Sequence, residues 1–260
     1  MNLALKDKVA LVTGASKGIG FGTALQLARE GAKIAICARN EDTLAVAANE
    51  IYEQTGVQPF QITGDVSKEE DCKLIVTKAA EHFGGLDILI NNAGTTAGNP
   101  FEQVETSLWQ YDLDLKVFAA IHCSRYAVPY MRQNGGGSIL NVTAAIAKTP
   151  PASSLPTTVS RAAGMALTKA MSKDLGPDNI RVNTVCIGLI RSDQIEKHWK
   201  KVAPELTFEQ FSQDPQHQIP LGRIGDTEEA AKVMAFLVSD AASYITGTSL
   251  NIDGGMAGVL

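Results

Sequence analysis

Seven short apolar runs punctuate this 260-residue chain: VALVTG (9–14), KIAICAR (33–39), PFQITGDV (59–66), LDILINNAG (86–94), GSILNVTA (137–144), IRVNTVCIG (180–188) and SLNIDGG (249–255). Their interiors are almost continuously apolar, the pattern of strands covered on both faces. Between them lie stretches such as GFGTALQLAREG and DTLAVAANEIYEQTG, whose apolar residues recur at helical spacing. Strands and helices in alternation predict an α/β chain: parallel neighbours need long crossovers, and helical crossovers cover the sheet. No linker, repeat or low-complexity segment interrupts residues 1–260, so one domain with a doubly wound sheet is expected.

One segment departs from the rhythm. Residues 191–220 (RSDQIEKHWKKVAPELTFEQFSQDPQHQIP) are polar and amphipathic in places. They follow the carboxyl end of a strand, where an insertion in an open α/β sheet lies over the ligand crevice, so a substrate lid is expected there. Trp199 is either a pocket-lining residue or one face of an amphipathic helix.

Bulk properties narrow the partners. A net charge of −5 opposes general attraction to nucleic acid or an anionic membrane. No apolar run approaches a bilayer span, and the N-terminus runs directly into a strand pattern without a secretory signal. Cys37, Cys72, Cys123 and Cys186 are far apart, which suits reduced thiols and a cytoplasmic protein rather than a disulfide framework or a zinc site. Cys186 falls near the crevice but reads as a small core residue. The four histidines show no metal-ligand spacing. A small-molecule substrate remains.

The stretch VALVTGASKGIGFGTALQLA is a strand, a glycine-rich turn and a helix. Gly14, Gly18 and Gly20 would let backbone approach a pyrophosphate at the helix N-terminus, where free N–H groups and the helix dipole favour an anion. The second strand ends in Ala38–Arg39. An acid at such a strand tip would bond the 2′-hydroxyl of NAD, whereas an arginine accommodates the 2′-phosphate of NADP. With Lys17 in the facing turn, NADP(H) is expected over NAD(H).

TGASKGIG, followed by GDV (64–66), NNAG (91–94), IRVN (180–183) and PLGRIGDTEEAAKVMAFLVSDAASYITGTSLNIDGG, resembles the short-chain dehydrogenase/reductase family over nearly the whole chain. The resemblance implies a seven-stranded Rossmann sheet, a nicotinamide dinucleotide and a homotetramer or homodimer. It places Gly14, Ser16, Lys17, Gly18, Ile19 and Gly20 in the phosphate loop. Asp65 and Val66 fall beside the adenine, and Asn92, Ala93 and Gly94 along the adenosine ribose. Ser192 stands where a threonine often contacts the carboxamide.

In that family a tyrosine gives a proton to the carbonyl oxygen. A lysine four residues later binds the nicotinamide ribose and lowers the tyrosine pKa. A serine orients the substrate, and an asparagine holds a water. Here the serine position falls on Ala144, the tyrosine on Thr157, the lysine on Arg161 and, by alignment of WQYDLDLKVFAA, the asparagine on Asp114. All four differ. Arg161 would still bind ribose hydroxyls, and Asp114 is either a proton relay or an ordinary helix carboxylate. Two readings follow: an NADP(H)-dependent oxidoreductase acting on a carbonyl or alcohol by a non-standard proton route, or a catalytically impaired nucleotide-binding relative serving as sensor, scaffold or oligomer partner.

Overall fold

The computed structural model describes residues 2–259. In chain order its elements are β1 (Val9–Thr13), α1 (Gly18–Arg29), β2 (Lys33–Ala38), α2 (Glu41–Thr55), β3 (Phe60–Thr63), α3 (Glu69–Phe83), β4 (Ile88–Asn91) and the two-residue β5 (Gly98–Asn99). Then come α4 (Thr106–Leu113), a π turn (Asp114–Phe118), α5 (Ala119–Gln133), β6 (Gly137–Ala144), the two-residue β7 (Leu155–Pro156), α6 (Thr157–Asp174) and β8 (Ile180–Ile187). The chain closes with α7 (Asp193–Val202), α8 (Phe208–Ser212), α9 (Thr227–Val238) and β9 (Ser249–Ile252).

Seven strands form one sheet in the order β3-β2-β1-β4-β6-β8-β9, every pair parallel. This is the Rossmann-like sheet expected from the seven runs. Alternation along β1 shows why both faces are apolar. Ala10 and Val12 join a core with Leu27 of α1, Ile51 of α2 and Met234 of α9. Val9 and Leu11 point the other way, to Ile75 and Val76 of α3 and Cys123 and Met131 of α5. Successive strand side chains alternate faces, so a strand sandwiched between two helical layers needs both sets apolar.

Strand order reverses between β1 and β4. The carboxyl ends of the strands part there, and the turns after β1 and β4 line a crevice. A second, antiparallel ladder of β5 and β7 pins the loop after β4 to the start of α6. Residues 191–220 form α7, α8 and a 3₁₀ turn at Pro215–His217. Ser192 to Ile195 line the crevice, and Thr96 Oγ1 donates to Gln194 Oε1 at 3.0 Å. Trp199 takes the packing role: its indole N–H donates to the Leu206 carbonyl at 3.0 Å, its ring stands edge-on to Phe208, and it is absent from the crevice wall. Cys186 is a buried core residue beside Thr143 and Met165.

Candidate active site

The crevice encloses about 730 Å³ and runs from the β1–α1 turn to the start of α6. At the turn, Gly14 adopts φ +64°, and a Cβ there would come within 2.8 Å of Ala93 Cα. The Asn92 amide seals this approach by donating to the Thr13 and Gly14 carbonyls at 3.0 and 3.1 Å. Gly18, at φ +57°, opens α1 against Ser192, and the helix start has no side-chain cap. Its first N–H groups therefore remain available to an anion. Ser16, Lys17, Ile19, Gly20, Asp65, Val66, Ala93 and Gly94 line the same wall, so the structure gathers all the cofactor residues expected from the sequence. Arg39 stands at the β2 tip with Nη1 3.3 Å from the Tyr111 hydroxyl, and Lys17 forms only a loose 3.9 Å pair with Asp193. Ser192 also N-caps α7, accepting from the Ile195 N–H at 3.4 Å.

At the other end, Ala144 closes β6, Thr157 opens α6, and Arg161 follows one turn later. Arg161 donates through Nη1 to the Val142 carbonyl at 2.6 Å, and its Nη2 lies where a Cβ on Gly94 would come within 2.8 Å. Its buried Nε–H has no partner among the described residues. Burial lowers the Arg161 pKa while Asp112 raises it, and an arginine in this setting stays charged. Arg161 is thus a fixed cation on the crevice wall.

Thr157 is buried, yet its side chain borders the crevice. Its Oγ1 accepts from the Ala97 backbone N–H and from Lys116 Nζ, each at 2.9 Å. Lys116 is ion-paired with Asp112 Oδ1, and both side chains are 2% exposed. Ser160 Oγ donates to Asp112 Oδ2 at 2.5 Å. Burial first, and the Arg161 cation second, pull the Lys116 pKa down to about 8 against the opposing pull of Asp112. A small cavity of about 20 Å³, room for a single water, borders Lys116, Ser160, Arg161, Asn91 and Asn141.

The assignment of Asp114 needs correction. Its Oδ1 accepts from the exposed Gln110 side chain at 2.8 Å, and it does not line the crevice. The side chains that reach α6 come from positions 112 and 116, on either side of it. Asp112 and Lys116, four apart, share the helical face turned to α6, whereas Asp114, two residues from each, faces away from it. Lys116 occupies the position beside Thr157. A signal was present in YDLDLKVFAA, where an Asp and a Lys four apart sit next to Leu115, Val117 and Phe118. Such an i,i+4 pair amid apolar residues is compatible with a buried ion pair as well as a solvated one.

The family model described as enoyl-(acyl carrier protein) reductase matches residues 14–257. The 3alpha-hydroxysteroid dehydrogenase of Mediterraneibacter gnavus is 34% identical over 257 residues, 98% of each chain. L-sorbose reductase from Gluconobacter frateurii, solved with NADPH and L-sorbose, superposes with a TM-score of 0.95 at 34% identity over the whole of both chains. A Pseudomonas aeruginosa PAO1 short chain oxidoreductase described as containing an atypical catalytic center gives 0.93 at 31% identity, over 97% of this chain and 98% of that one. Another solved relative is complexed with NADH. The chain belongs to the short-chain dehydrogenase/reductase family. It is an oxidoreductase of that class.

Proposed function

We propose that the protein is an NADP(H)-dependent oxidoreductase that interconverts a small-molecule carbonyl and its alcohol, with the Thr157 hydroxyl in place of the usual phenol. Bound in the crevice, the cofactor would supply hydride. Gly14, Gly18 and the α1 start would hold its pyrophosphate, and Arg161 its nicotinamide ribose. Arg39 and Lys17, two cations at the β2 tip and the facing turn, support a 2′-phosphate.

One observation carries the reading. A threonine oxygen has two lone pairs and one hydrogen. Both lone pairs of Thr157 Oγ1 are engaged by Ala97 N–H and Lys116, and no protein acceptor takes its hydrogen among the described residues. The hydroxyl is thereby left to act as a donor, on a residue that borders the crevice. An aliphatic hydroxyl is a far weaker acid than a phenol, which titrates near pH 10. It can still pass a proton if another group refills it. Ala144 offers no hydroxyl, so substrate orientation falls to this donor and to the cover at residues 192–195.

Single-turnover mixing with NADPH and a panel of ketones, aldehydes and keto-sugars tests the reading. The expected result is substrate-dependent oxidation of NADPH, reduced roughly 10²-fold by the isosteric Thr157→Val, the lower range for one positioned proton donor. NADPH binding with no oxidation by any carbonyl would favour the impaired, sensor-like alternative. We further propose a homotetramer or homodimer in the cytoplasm. Phe118 and Val159, on the packed π turn and α6, are 41% and 45% exposed, and light scattering gives the mass.

A further inference from the structure

We propose that Lys116, held by Asp112, is the proton reservoir that refills the Thr157 hydroxyl. The inference rests on the carbonyl-reducing function proposed above and assigns a role to a charged cluster outside the positions at which the family keeps its phenol and ammonium.

The geometry is specific. Lys116 Nζ has two anchored partners, the Asp112 carboxylate and Thr157 Oγ1. Asp112 is itself anchored by Ser160 Oγ at 2.5 Å, on the same α6 turn as Thr157. A lysine that served only to neutralise Asp112 would have no need of the threonine oxygen. A lysine that only fixed the threonine would be replaceable by a neutral donor, without the cost of desolvating an ammonium. Here the ammonium donates to a crevice-wall residue's hydroxyl whose own proton has no acceptor among the described residues.

The proton balance in reduction closes on these atoms. As hydride forms the new C–H bond, the carbonyl π pair moves to oxygen, and that oxygen takes the Thr157 Oγ1 proton. Thr157 Oγ1 takes a proton from Lys116 Nζ, so the threonine ends as it began and Lys116 is left as a neutral amine. Asp112 stays a carboxylate throughout. One hydride and one proton are consumed, and solvent returns the proton to Lys116. In the oxidation direction the neutral amine accepts from Thr157, which accepts from the substrate hydroxyl. Lys116 touches Thr157 rather than the substrate, so it is a positioning and proton-supplying residue acting through Thr157.

The charged groups around Lys116 are Asp112 on the same helical segment and Arg161 on α6; the Cys123 thiol of α5 and the neutral Asn91 and Asn141 of the sheet border the same cavity. Burial first, and the Arg161 cation second, bring the titration of this amine down toward the working range against the raising pull of Asp112, so a proton can be both held and released there. Arg161 cannot take this part, because a guanidinium does not give up its proton in proteins.

The test compares wild type, Thr157→Val, Lys116→Arg and Lys116→Met. Each is assayed for NADPH affinity by fluorescence and for kcat across pH 6–10 on a carbonyl found in the panel. Lys116→Arg keeps a cation and hydrogen-bond donors, so a purely structural role would be rescued by it. The expected result is unchanged NADPH affinity, a kcat about 10²-fold lower in both Lys116 variants, and loss of the wild-type fall in reduction rate above about pH 8. Lys116→Arg within about fivefold of wild type and retaining that fall, while Thr157→Val is crippled, overturns the role of Lys116 alone. Should Thr157→Val remain fast, the threonine reading falls as well. Wild type inert on every carbonyl overturns both. Where a variant fails to fold, a ¹³Cε titration of Lys116 in lysine-labelled wild type decides: a signal still protonated at pH 10.5 refutes the reservoir.

Discussion

Asp112→Asn removes the countercharge of the buried cluster and little else. The amide keeps the carboxylate's shape, its oxygen can still accept from Lys116, and its nitrogen can donate to Ser160 Oγ, which lies 2.5 Å from the present carboxylate. What remains is an ammonium 2% exposed, beside Arg161 and without a negative partner. Removing one member of a buried pair costs about 3–5 kcal/mol. At ~2–4 °C per kcal/mol for a chain of this size, the melting temperature falls by roughly 6–20 °C. The pH dependence has a definite sign. The folded pKa of Lys116, about 8, lies below its ordinary 10.5, so between those values the unfolded chain binds more protons and the contribution of this group to stability rises with pH. Loss of Asp112 lowers the folded pKa further, because the raising interaction is gone. The deficit is therefore larger at pH 6 than at pH 8.5, because the variant sheds the proton at lower pH than wild type instead of burying it. Urea unfolding of wild type and variant at the two pH values measures this. A stability within about 1 kcal/mol of wild type at pH 6, well short of the range for a broken buried pair, or a deficit that grows with pH, would refute the reasoning.

Two further outcomes are expected. Arg39→Asp weakens NADPH binding by roughly 10–100-fold, the worth of a charge-assisted bond to phosphate, while NADH affinity stays within about threefold; equal losses in fluorescence titration would contradict the NADP(H) assignment. Gly14→Ala is more destabilising than Gly18→Ala. Both residues have positive φ, which costs a side chain about 1–2 kcal/mol, but only at Gly14 does the new Cβ meet backbone, at 2.8 Å from Ala93 Cα, against 3.5 Å from the Ser192 side chain at Gly18. Thermal melts that reverse this order would mean the turn after β1 does not pack as described.

The glycine turn after β1 was readable because its geometry is local. A strand, a glycine turn and a helix start lie within some twenty consecutive residues, and the spacing of Gly14, Gly18 and Gly20 encodes the backbone path that an anion needs. The sheet was readable for a related reason: central strands such as β1, β2 and β4 are covered on both faces, and that shows as continuous apolar runs whatever their final neighbours. Thr157 and Arg161, four apart on one helix, were likewise placed by sequence alone.

The contacts among Asp112, Lys116 and Thr157 were not readable in the sequence. Asp112 and Lys116 share one helical face at four-residue spacing and took the contacts to α6, while Asp114, where the alignment put the family's asparagine, faces the exposed Gln110; the i,i+4 pair alone does not say whether it is buried or solvated. Nor could sequence reveal that Ala97 and Lys116, 60 and 41 residues from Thr157, fill both lone pairs of one hydroxyl. Trp199 shows the same limit: its amphipathic stretch suited a pocket wall or a packed helix, and its contacts to Leu206 and Phe208 decided between them. Sequence determined the elements, the sheet and the glycine turn at the start of α1, because those follow from periodicity and short-range turn geometry. Which buried charge meets which hydroxyl depends on how helices rotate against each other, and only tertiary packing decided that.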